Sequence, residues 1–422
     1  MNLLICATGT QGDVQPCVAL ARGLADAGHQ VEVASATAFQ PLIEGAGLPF
    51  VALWEPDPRK VMQDVQRGTI GHSARLRLFK HLFRRRPPPA AALARQVELC
   101  RGRDVVLSPI SNYLHITEAL GIPFCFLAPY PTLPTRRFPH HLSRLDRSLG
   151  RWGNQLTHLF FRQLFWIPDR HWVNGWRRDL GLDPLGWSGP HPHACRRRVL
   201  YLYAYSPTVL PRPEDWPDTV QVTGFWFLDT ARSFTPSPGL EAFLQSGPAP
   251  VVMAFGSLVD PAPAELQRCL LEALAATGQR GVLLAGWGAG EGELPATVHR
   301  ADWVPLPWLL PKVRAIIHHG GAGSSAEALR AGVASVTIPY SGEQRFWAGR
   351  LGHLGVGARP VPRRHLNASA LTKALQGLLD DSELSQRLAE RSRQIGNEDG
   401  VTAAVRAFES WVATYRKSPP RT

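Results

Sequence analysis

The sequence predicts an α/β protein made of two successive units, each a doubly wound parallel sheet covered by helices. Apolar, strand-like runs alternate with helical runs from the first residues onward, and the same alternation starts again near residue 250. Alternation of this kind indicates parallel strands joined by helices. A chain of 422 residues also exceeds the size at which a single hydrophobic core usually divides. We therefore expect two domains of the same class.

The first half supplies the elements of the first unit in order. "NLLICAT" predicts a strand, "VQPCVALARGLADAG" a helix with Gly28 as its C-terminal cap, and "QVEVAS" a second strand. "DVVLSP", the helical run around "HITEALG" and the strand "IPFCFLAP" repeat the pattern.

The second half repeats the theme after a proline-rich stretch. "FWFLDTARSFTPSPG" (225–239) is predicted to be a linker. It is followed by the strand and helix runs "APVVMAFGS", "PAELQRCLLEALAATG", "RGVLLAGWG", "ADWVP", "AIIHHGG", "SSAEALRAG" and "ASVTIPY". Ligands of such sheets bind beyond the carboxyl ends of the strands. Residues 9–13, 256–257, 286–288 and 319–324 are placed there, and we expect them to converge on a cleft between the domains.

The charge of the chain is strongly positive, at +12. Nine Lys and Arg residues lie in 75–103 against one acid, Glu98, and apolar residues are interleaved with them. This composition indicates contact with an anionic membrane surface, although an ordinary solvated helix face has the same composition. No DNA- or RNA-binding motif accompanies the charge, so we expect no nucleic-acid partner.

The location of the protein is predicted from what the sequence lacks. No apolar run approaches the ~18–20 residues of a membrane helix, and "MNLLICATGTQGD" does not resemble a secretory signal. The six cysteines show no metal-binding spacing, and reduced thiols explain them best. We expect a cytoplasmic protein, with attachment to the inner face of the membrane as an open alternative.

The stretch "HHGGAGSSAEAL" (318–329) joins a strand to a helix through glycines. Glycine permits close backbone approach, and a helix N-terminus attracts anions. The pattern favours a bound phosphate, although a tight turn that needs glycine only for packing is the alternative. A dinucleotide dehydrogenase and a P-loop enzyme are excluded because neither GxGxxG after the first strand nor GxxxxGK[ST] is present.

Several long motifs resemble one known family. "ADWVPLPWLLPKVRAIIHHGGAGSSAEALRAGVASVTIPYSGEQRFWAGRLGHLGVG" is similar to the donor-binding signature of family 1 glycosyltransferases, and "GTQGDVQPCVALARGL", "HITEALGIPF", "PTRRFPHH" and "FGSLVD" resemble the sterol glucosyltransferase branch most. The resemblance implies the GT-B architecture. It places an acceptor-binding domain in 1–222, a nucleotide-sugar-binding domain in 223–400, and a final helix (401–416) back on the first domain.

The resemblance also implies a donor site for a UDP-sugar. The diphosphate would be held by His319, by backbone N–H groups of the glycine-rich turn, and by two serine hydroxyls. Glu327 would accept hydrogen bonds from the ribose, although a first-turn acid stabilised by the helix dipole is the alternative. The implied set comprises Ser257, Trp303 and Val304 (for the base), His319, Gly321, Ala322, Gly323, Ser324, Glu327, and Glu343 with Gln344 (for the sugar hydroxyls).

Asp13 is the implied catalytic base. It stands in "GDVQP", where plant members of the family carry a histidine, and it could equally cap the helix that follows. The expected reaction is an inverting transfer of a sugar, glucose above all, from UDP to an apolar alcohol without a metal or other cofactor. The aromatic stretch "HLFFRQLFWIPDRHWVNGW" (158–176) favours an apolar acceptor. A sugar-nucleotide 2-epimerase and a non-catalytic sugar-nucleotide binder remain as alternatives.

Overall fold

The computed structural model describes residues 1–53, 90–143, 145, 147–229, 234–256, 258–286 and 292–417. Their contacts divide the chain into two compact units. The first unit contains the described residues of 1–53, 90–228 and 399–417, and the second those of 229–398. Ser257 and the basic residues of 75–89, both singled out from the sequence, lie outside the described residues.

The first unit is built on a seven-stranded parallel sheet with the order β3-β2-β1-β4-β5-β6-β7. The sheet reverses its winding direction between β1 and β4, because the chain first builds outward on one side of β1 and then on the other. The strands are β1 (Asn2–Cys6), β2 (Gln30–Ser35), β3 (Phe50–Ala52), β4 (Val105–Ser108), β5 (Phe124–Ala128), β6 (Leu200–Tyr203) and β7 (Val220–Val222).

Helices cover this sheet and bury its apolar residues. They are α1 (Gln11–Asp26), α2 (Gln40–Gly45), α3 (Ala90–Cys100), α4 (Asn112–Ala119), the 30-residue α5 (Gly150–Asp179) and α6 (Pro190–Arg196). In the core, side chains of β1 and β2 pack against α1 and against apolar residues close to the C-terminus, such as Phe408 and Trp411. Gly28 has a positive φ just beyond the end of α1, as a helix C-terminus favours.

The second unit contains a five-stranded parallel sheet with the order β10-β9-β8-β11-β12. Its strands are β8 (Val251–Ala254), β9 (Gly281–Leu284), β10 (Val298–Ala301), β11 (Ala315–His318) and β12 (Ala334–Thr337). Its helices are α7 (Pro238–Gln245), α8 (Pro263–Ala276), α9 (Leu306–Leu309), α10 (Ala322–Ala331), α11 (Gly342–His353), α12 (Ala368–Leu379) and α13 (Leu384–Gly396). The last helix, α14 (Gly400–Lys417), belongs to the first unit.

The linker predicted at 225–239 is wrong at both ends. Phe225 and Trp226 are buried, and Trp226 belongs to the core of the first unit. Ser237 accepts a hydrogen bond from the backbone N–H of Leu240 and so caps α7, which begins at Pro238. Pro238 starts the helix, because proline suits the first helical turn.

Candidate functional site

Asp13 lies in the first turn of α1, just beyond the carboxyl end of β1. Its Oδ2 atom accepts hydrogen bonds from the backbone N–H of Thr10 at 2.8 Å and from the Thr10 hydroxyl at 2.9 Å. No hydrogen bond from a described residue reaches Oδ1. The carboxylate therefore caps the helix with one oxygen and leaves the other available.

Gly9 makes room for this carboxylate. It adopts a φ of +116°, and a Cβ atom at this position would lie 2.5 Å from Oδ2 of Asp13. Both the backbone conformation and the close approach require glycine. The "GTQGD" turn thus has a physical reason for its first glycine.

Asp13 borders a cavity of about 240 Å³ within the first unit. The cavity lies at the carboxyl ends of β1, β4, β5 and β6, around the point where the sheet reverses its winding. Its walls are mainly apolar and are formed by Thr8, Asp13, Pro16, Cys17, Pro109, Ile110, Phe126, Leu127, Ala128, Pro129, Tyr130, Ala204 and Trp226. Burial raises the pKa of Asp13 above its ordinary value, although the bonds from Thr10 act in the opposite direction.

The aromatic stretch 158–176 does not line this cavity. It lies in α5, and several of its apolar side chains are exposed. Phe126, Tyr130 and Trp226 form aromatic walls instead. The sequence predicted no site role for Phe126 and Tyr130, and it assigned Trp226 to a linker. Phe126 lies within β5 and Tyr130 just after it, and this position was the available signal.

The glycine-rich turn of the second unit follows β11 and opens α10. No side chain among the described residues caps the helix at Gly321, so the N–H groups of Ala322, Gly323 and Ser324 can meet a ligand. Residues 321–324 are all partly accessible. The helix ends at Gly332 in the left-handed conformation, as its sequence predicts.

The two histidines of this turn have different environments. His318 is fully buried, and its Nδ1 atom accepts the backbone N–H of Gly320 at 3.2 Å. His319 is half-buried, and no described residue hydrogen bonds to its buried Nδ1 atom. Burial lowers the pKa of His319 to about 4, so the ring is neutral near pH 7 and can donate one N–H bond. Gly321 lies directly below this ring, because a Cβ atom there would be 2.5 Å from Nε2 of His319.

Glu327 lies in the second turn of α10, and no acidic residue occupies the first turn. The alternative of a first-turn acid stabilised by the helix dipole is therefore wrong. The side chain is buried, and its Oε2 atom accepts a hydrogen bond from Arg330 at 2.6 Å. Burial outweighs this pairing and raises the pKa of Glu327 to about 7, with Asp229 acting in the same direction.

Trp303 and Val304 follow the carboxyl end of β10. Trp303 is 57% exposed and contacts Phe234 edge-on with a ring separation of 6.2 Å, so it offers a free ring face. The Val304 side chain is buried in the core of the second unit, which leaves its backbone for any ligand contact.

Glu343 and Gln344 lie in the first turn of α11, after β12. The Oε1 atom of Gln344 accepts the backbone N–H of Tyr340 at 2.8 Å and that of Ser341 at 3.3 Å. Ser341 in turn accepts the backbone N–H of Gln344, which completes a capping box. The amide oxygen is thus engaged in capping, and the amide NH₂ group is the part left to donate.

A buried ionic network that the sequence analysis missed supports this end of the second unit. Arg363 donates to both carboxylate oxygens of Asp260, at 2.7 and 3.0 Å, and Tyr340 also donates to Asp260. The network fixes the loop after β8 to the residue that precedes the α11 capping box. Asp260 follows "FGS" closely, but Arg363 is 103 residues away, and nothing in the sequence pairs them.

Two negative findings apply to the described part of the chain. No group of three or more His, Cys, Asp or Glu side chains there is arranged to hold a metal ion. None of its helices combines the length and hydropathy needed to cross a bilayer.

Comparisons with known proteins assign the chain to a family. Residues 3–139 match the Glycosyltransferase family 28 N-terminal domain, and residues 257–400 match the Erythromycin biosynthesis protein CIII-like C-terminal domain. Sterol 3-beta-glucosyltransferase UGT80B1 of Arabidopsis thaliana is 31% identical, and the match covers 100% of this chain and 68% of that protein. This chain belongs to the sterol 3-beta-glucosyltransferase family.

Other relatives are longer than this chain. The sterol 3-beta-glucosyltransferase of Cryptococcus neoformans is 33% identical, and the match covers 97% of this chain but 27% of that protein. The Arabidopsis relative UGT80A2 is 32% identical, and 65% of it is covered.

The fold matches solved glycosyltransferases along the chain. The calicheamicin glycosyltransferase CalG4 superposes with a TM-score of 0.68 at 20% identity, covering 99% of this chain and 100% of CalG4. The spinosyn rhamnosyltransferase SpnG gives 0.65 at 18% identity, covering 97% and 100%. The predictions of a GT-B fold and of a glycosyltransferase of the sterol branch are confirmed.

Proposed function

We propose that this glycosyltransferase transfers glucose from UDP-glucose to a hydroxyl group of an apolar, sterol-like alcohol and forms a β-glycoside. The observation that carries the proposal is the position of Asp13, a carboxylate at the wall of a mainly apolar cavity. Such a cavity favours an apolar molecule, and its carboxylate favours a molecule that brings a hydroxyl proton.

Asp13 would act as the general base. Its Oδ1 atom takes the acceptor proton while the acceptor oxygen bonds to the anomeric carbon and the bond from that carbon to UDP breaks. The raised pKa makes Asp13 a stronger base than a solvated aspartate, and the two bonds from Thr10 hold the carboxylate in place. A single displacement on an α-linked donor inverts the centre and gives the β product.

The donor would be held by the second unit. The N-terminus of α10 and the N–H of neutral His319 stabilise the charge that develops on the leaving diphosphate, so the proposal requires no metal. Glu327 would accept ribose hydroxyls, which favours UDP over dTDP. Trp303 and the Val304 backbone would hold the base. Glu343 and the free NH₂ group of Gln344 would bind sugar hydroxyls, and Ser257 and Ser324 would add hydroxyl donors.

The cavity volume bears on the acceptor. At about 240 Å³ it is smaller than the roughly 300–1,000 Å³ of pockets that enclose drug-sized ligands. We propose that it takes the hydroxyl-bearing end of the alcohol. The relatives named above are sterol glucosyltransferases, and this supports a flat alcohol of the sterol class.

We also propose that the protein is cytoplasmic and that the basic segment 75–103 contacts an anionic membrane. Within the described part of that segment, Arg103 donates to Asn2 and pairs with Glu32, and Arg101 lies 3.4 Å from Glu98. Arg103 is thus engaged within the protein, whereas Arg101 stays mostly exposed. The membrane contact would depend on the basic residues from 75 to 101.

A transfer assay with labelled UDP-glucose and a sterol in detergent micelles tests the function. The expected result is a labelled sterol glycoside whose anomeric proton shows the β configuration by NMR. Formation of the 2-epimer of the sugar nucleotide without an acceptor would assign an isomerase. Binding of UDP-glucose without turnover against a panel of apolar alcohols would assign a non-catalytic binder, and either result overturns the proposal.

A further inference from the structure

Helix α5 and the residue that caps it carry a row of apolar side chains that face solvent. Leu149, Trp152, Leu156, Leu159, Phe160 and Ile167 are each between 43% and 75% exposed. With 3.6 residues per turn, these positions fall within an arc of about 100° along five helical turns. We call this row the exposed stripe.

The orientation of α5 is fixed, so the helix cannot turn the stripe inward. On its opposite side Asn154 is fully buried, donates to the carbonyl of Arg136 at 3.0 Å and accepts the backbone N–H of Leu149 at 3.0 Å. His158 is also buried, and its ring nitrogen lies 3.1 Å from the carbonyl oxygen of Phe138. An apolar row held outward in this way, interrupted by Gln163 before Ile167, indicates an interaction surface.

The charges around the stripe are mainly positive. Residues 147–170 contain four arginines and one acidic residue, Asp169. The guanidinium of Arg136 lies 5.4 Å from the centre of the Trp152 ring, and that of Arg170 lies 4.1 Å from the ring of Trp187, which is itself exposed. Tryptophan and arginine together are typical of the zone where a protein meets lipid headgroups.

The helix that carries the stripe is also connected to the proposed acceptor cavity through aromatic ring contacts. Tyr130 lines the cavity, and the ring of His141 lies 5.0 Å from it. His140 stacks on His141 at 4.3 Å and on Phe161 of α5 at 4.6 Å. The rings of His141 and His140 therefore lie between the cavity wall and Phe161 of the helix that carries the stripe.

We propose that the exposed stripe is a membrane-contacting surface that inserts its apolar side chains among the headgroups of an anionic lipid layer. A second copy of the chain fits this surface less well. Symmetric pairing would place the arginines of the two copies close together, and their positive charges would repel each other. The use of this surface rests on the proposed function, because a membrane-contacting surface near the acceptor cavity would let the enzyme take up an alcohol dissolved in the membrane.

Co-sedimentation with vesicles tests the surface directly. The wild-type protein should bind phosphatidylcholine vesicles containing phosphatidylglycerol, and bind pure phosphatidylcholine much less. The variant Trp152→Ser/Leu156→Ser/Phe160→Ser should lose at least tenfold in vesicle affinity. The matched variant Trp152→Phe/Leu156→Met/Phe160→Leu keeps the positions apolar and should bind as the wild type does.

The arginines are tested separately. Arg147→Gln/Arg151→Gln should weaken binding and reduce its dependence on salt. Arg314→Gln/Arg406→Gln removes the same charge from exposed positions elsewhere and should change binding little. Circular dichroism and UDP affinity confirm that each variant is folded.

Three outcomes would overturn the proposal. They are wild-type protein that does not bind anionic vesicles, a triple serine variant that binds like the wild type, and a concentration-dependent dimer that only the serine variant abolishes. Transfer to a sterol in detergent is measured in parallel. A stripe variant that keeps full transfer activity in micelles but no longer binds vesicles would show that the surface is distinct from the reaction site. If the wild type shows no transfer in micelles, that result counts against the proposed function alone.

Discussion

Oδ2 of Asp13 caps α1, and its Oδ1 atom is proposed to act as the base. Asp13→Asn keeps an oxygen that can accept from Thr10 but removes the base. We expect kcat to fall by about 10²- to 10⁴-fold, with UDP affinity and the melting temperature nearly unchanged. Steady-state kinetics and calorimetry measure these quantities. If this variant keeps the kcat of the wild type, Asp13 only caps the helix and is not the base.

His319 tests the diphosphate site. Because burial keeps the ring neutral near pH 7, His319 is proposed to contribute a hydrogen bond and no full charge to the diphosphate site. His319→Ala should weaken the binding of both UDP and UDP-glucose by about 1–3 kcal/mol. Calorimetric titration with each ligand measures the change. UDP affinity equal to that of the wild type would remove His319 from the donor site.

Glu327 tests the ribose contact. Its carboxylate is proposed to accept a hydrogen bond from the ribose 2′-hydroxyl, which dTDP lacks. Glu327→Ala should therefore weaken the binding of UDP-glucose more than that of dTDP-glucose. Competition binding with the two donors measures the difference. Equal losses for both donors would mean that the side chain acts only through its pairing with Arg330.

The same residue predicts a pH dependence. With a pKa of about 7, the Glu327 carboxyl is mostly protonated at about pH 5.5 and mostly ionised at about pH 8. Only the ionised form accepts from both ribose hydroxyls. UDP-glucose affinity should therefore rise with pH across this range, and Glu327→Gln should flatten the profile. A wild-type profile that is flat, or that slopes the other way, would contradict this assignment.

At the scale of elements, Gln344 at the N-terminus of α11 caps the helix and is also proposed to bind the sugar. Gln344→Glu keeps an oxygen for the capping box, since glutamate is also favoured at that position, but it removes the NH₂ donors. We expect an unchanged melting temperature, an unchanged UDP affinity and a raised KM for UDP-glucose. Gln344→Ala is the control, because it should lose stability as well. An unchanged KM in the glutamate variant would show that Gln344 only caps the helix.

The elements also show how much the sequence could predict. The strand before the glycine-rich turn, the helix after it and its end at Gly332 were predicted correctly, because burial periodicity and caps act within a few residues. Residues 158–176 were taken to favour an apolar acceptor, but several of their apolar side chains face solvent. Composition alone does not tell which face of a helix the fold leaves uncovered.

Contacts between residues far apart in the chain could not be predicted from the sequence, for a related reason. The pairing of Asp260 with Arg363 joins residues 103 positions apart, and the cavity brings together the ends of four strands. Trp226 was assigned to a linker because prolines follow it, although its ring packs in the core of the first unit. Only the strand order of the sheet places such residues together.

At the scale of the whole molecule, the net charge of +12 favours anionic partners. The basic segment and the exposed stripe are separate sequences, and both are proposed to contact lipid. Such contacts add in free energy when the two surfaces engage the same membrane. Each basic residue near an anionic surface contributes about 1 kcal/mol, screened over roughly 8–10 Å.

The last prediction concerns the basic segment 75–103. Arg84→Gln/Arg85→Gln/Arg86→Gln should weaken binding to phosphatidylglycerol-containing vesicles strongly at low salt, and the difference from the wild type should shrink as salt rises. Arg314→Gln/Arg364→Gln/Arg406→Gln removes an equal charge from exposed positions and is the control. Vesicle binding by the 84–86 variant equal to that of the wild type would leave the stripe as the surface that binds lipid. Equal weakening in the control would instead attribute the effect to net charge, because a localised surface responds only to charges that face the membrane.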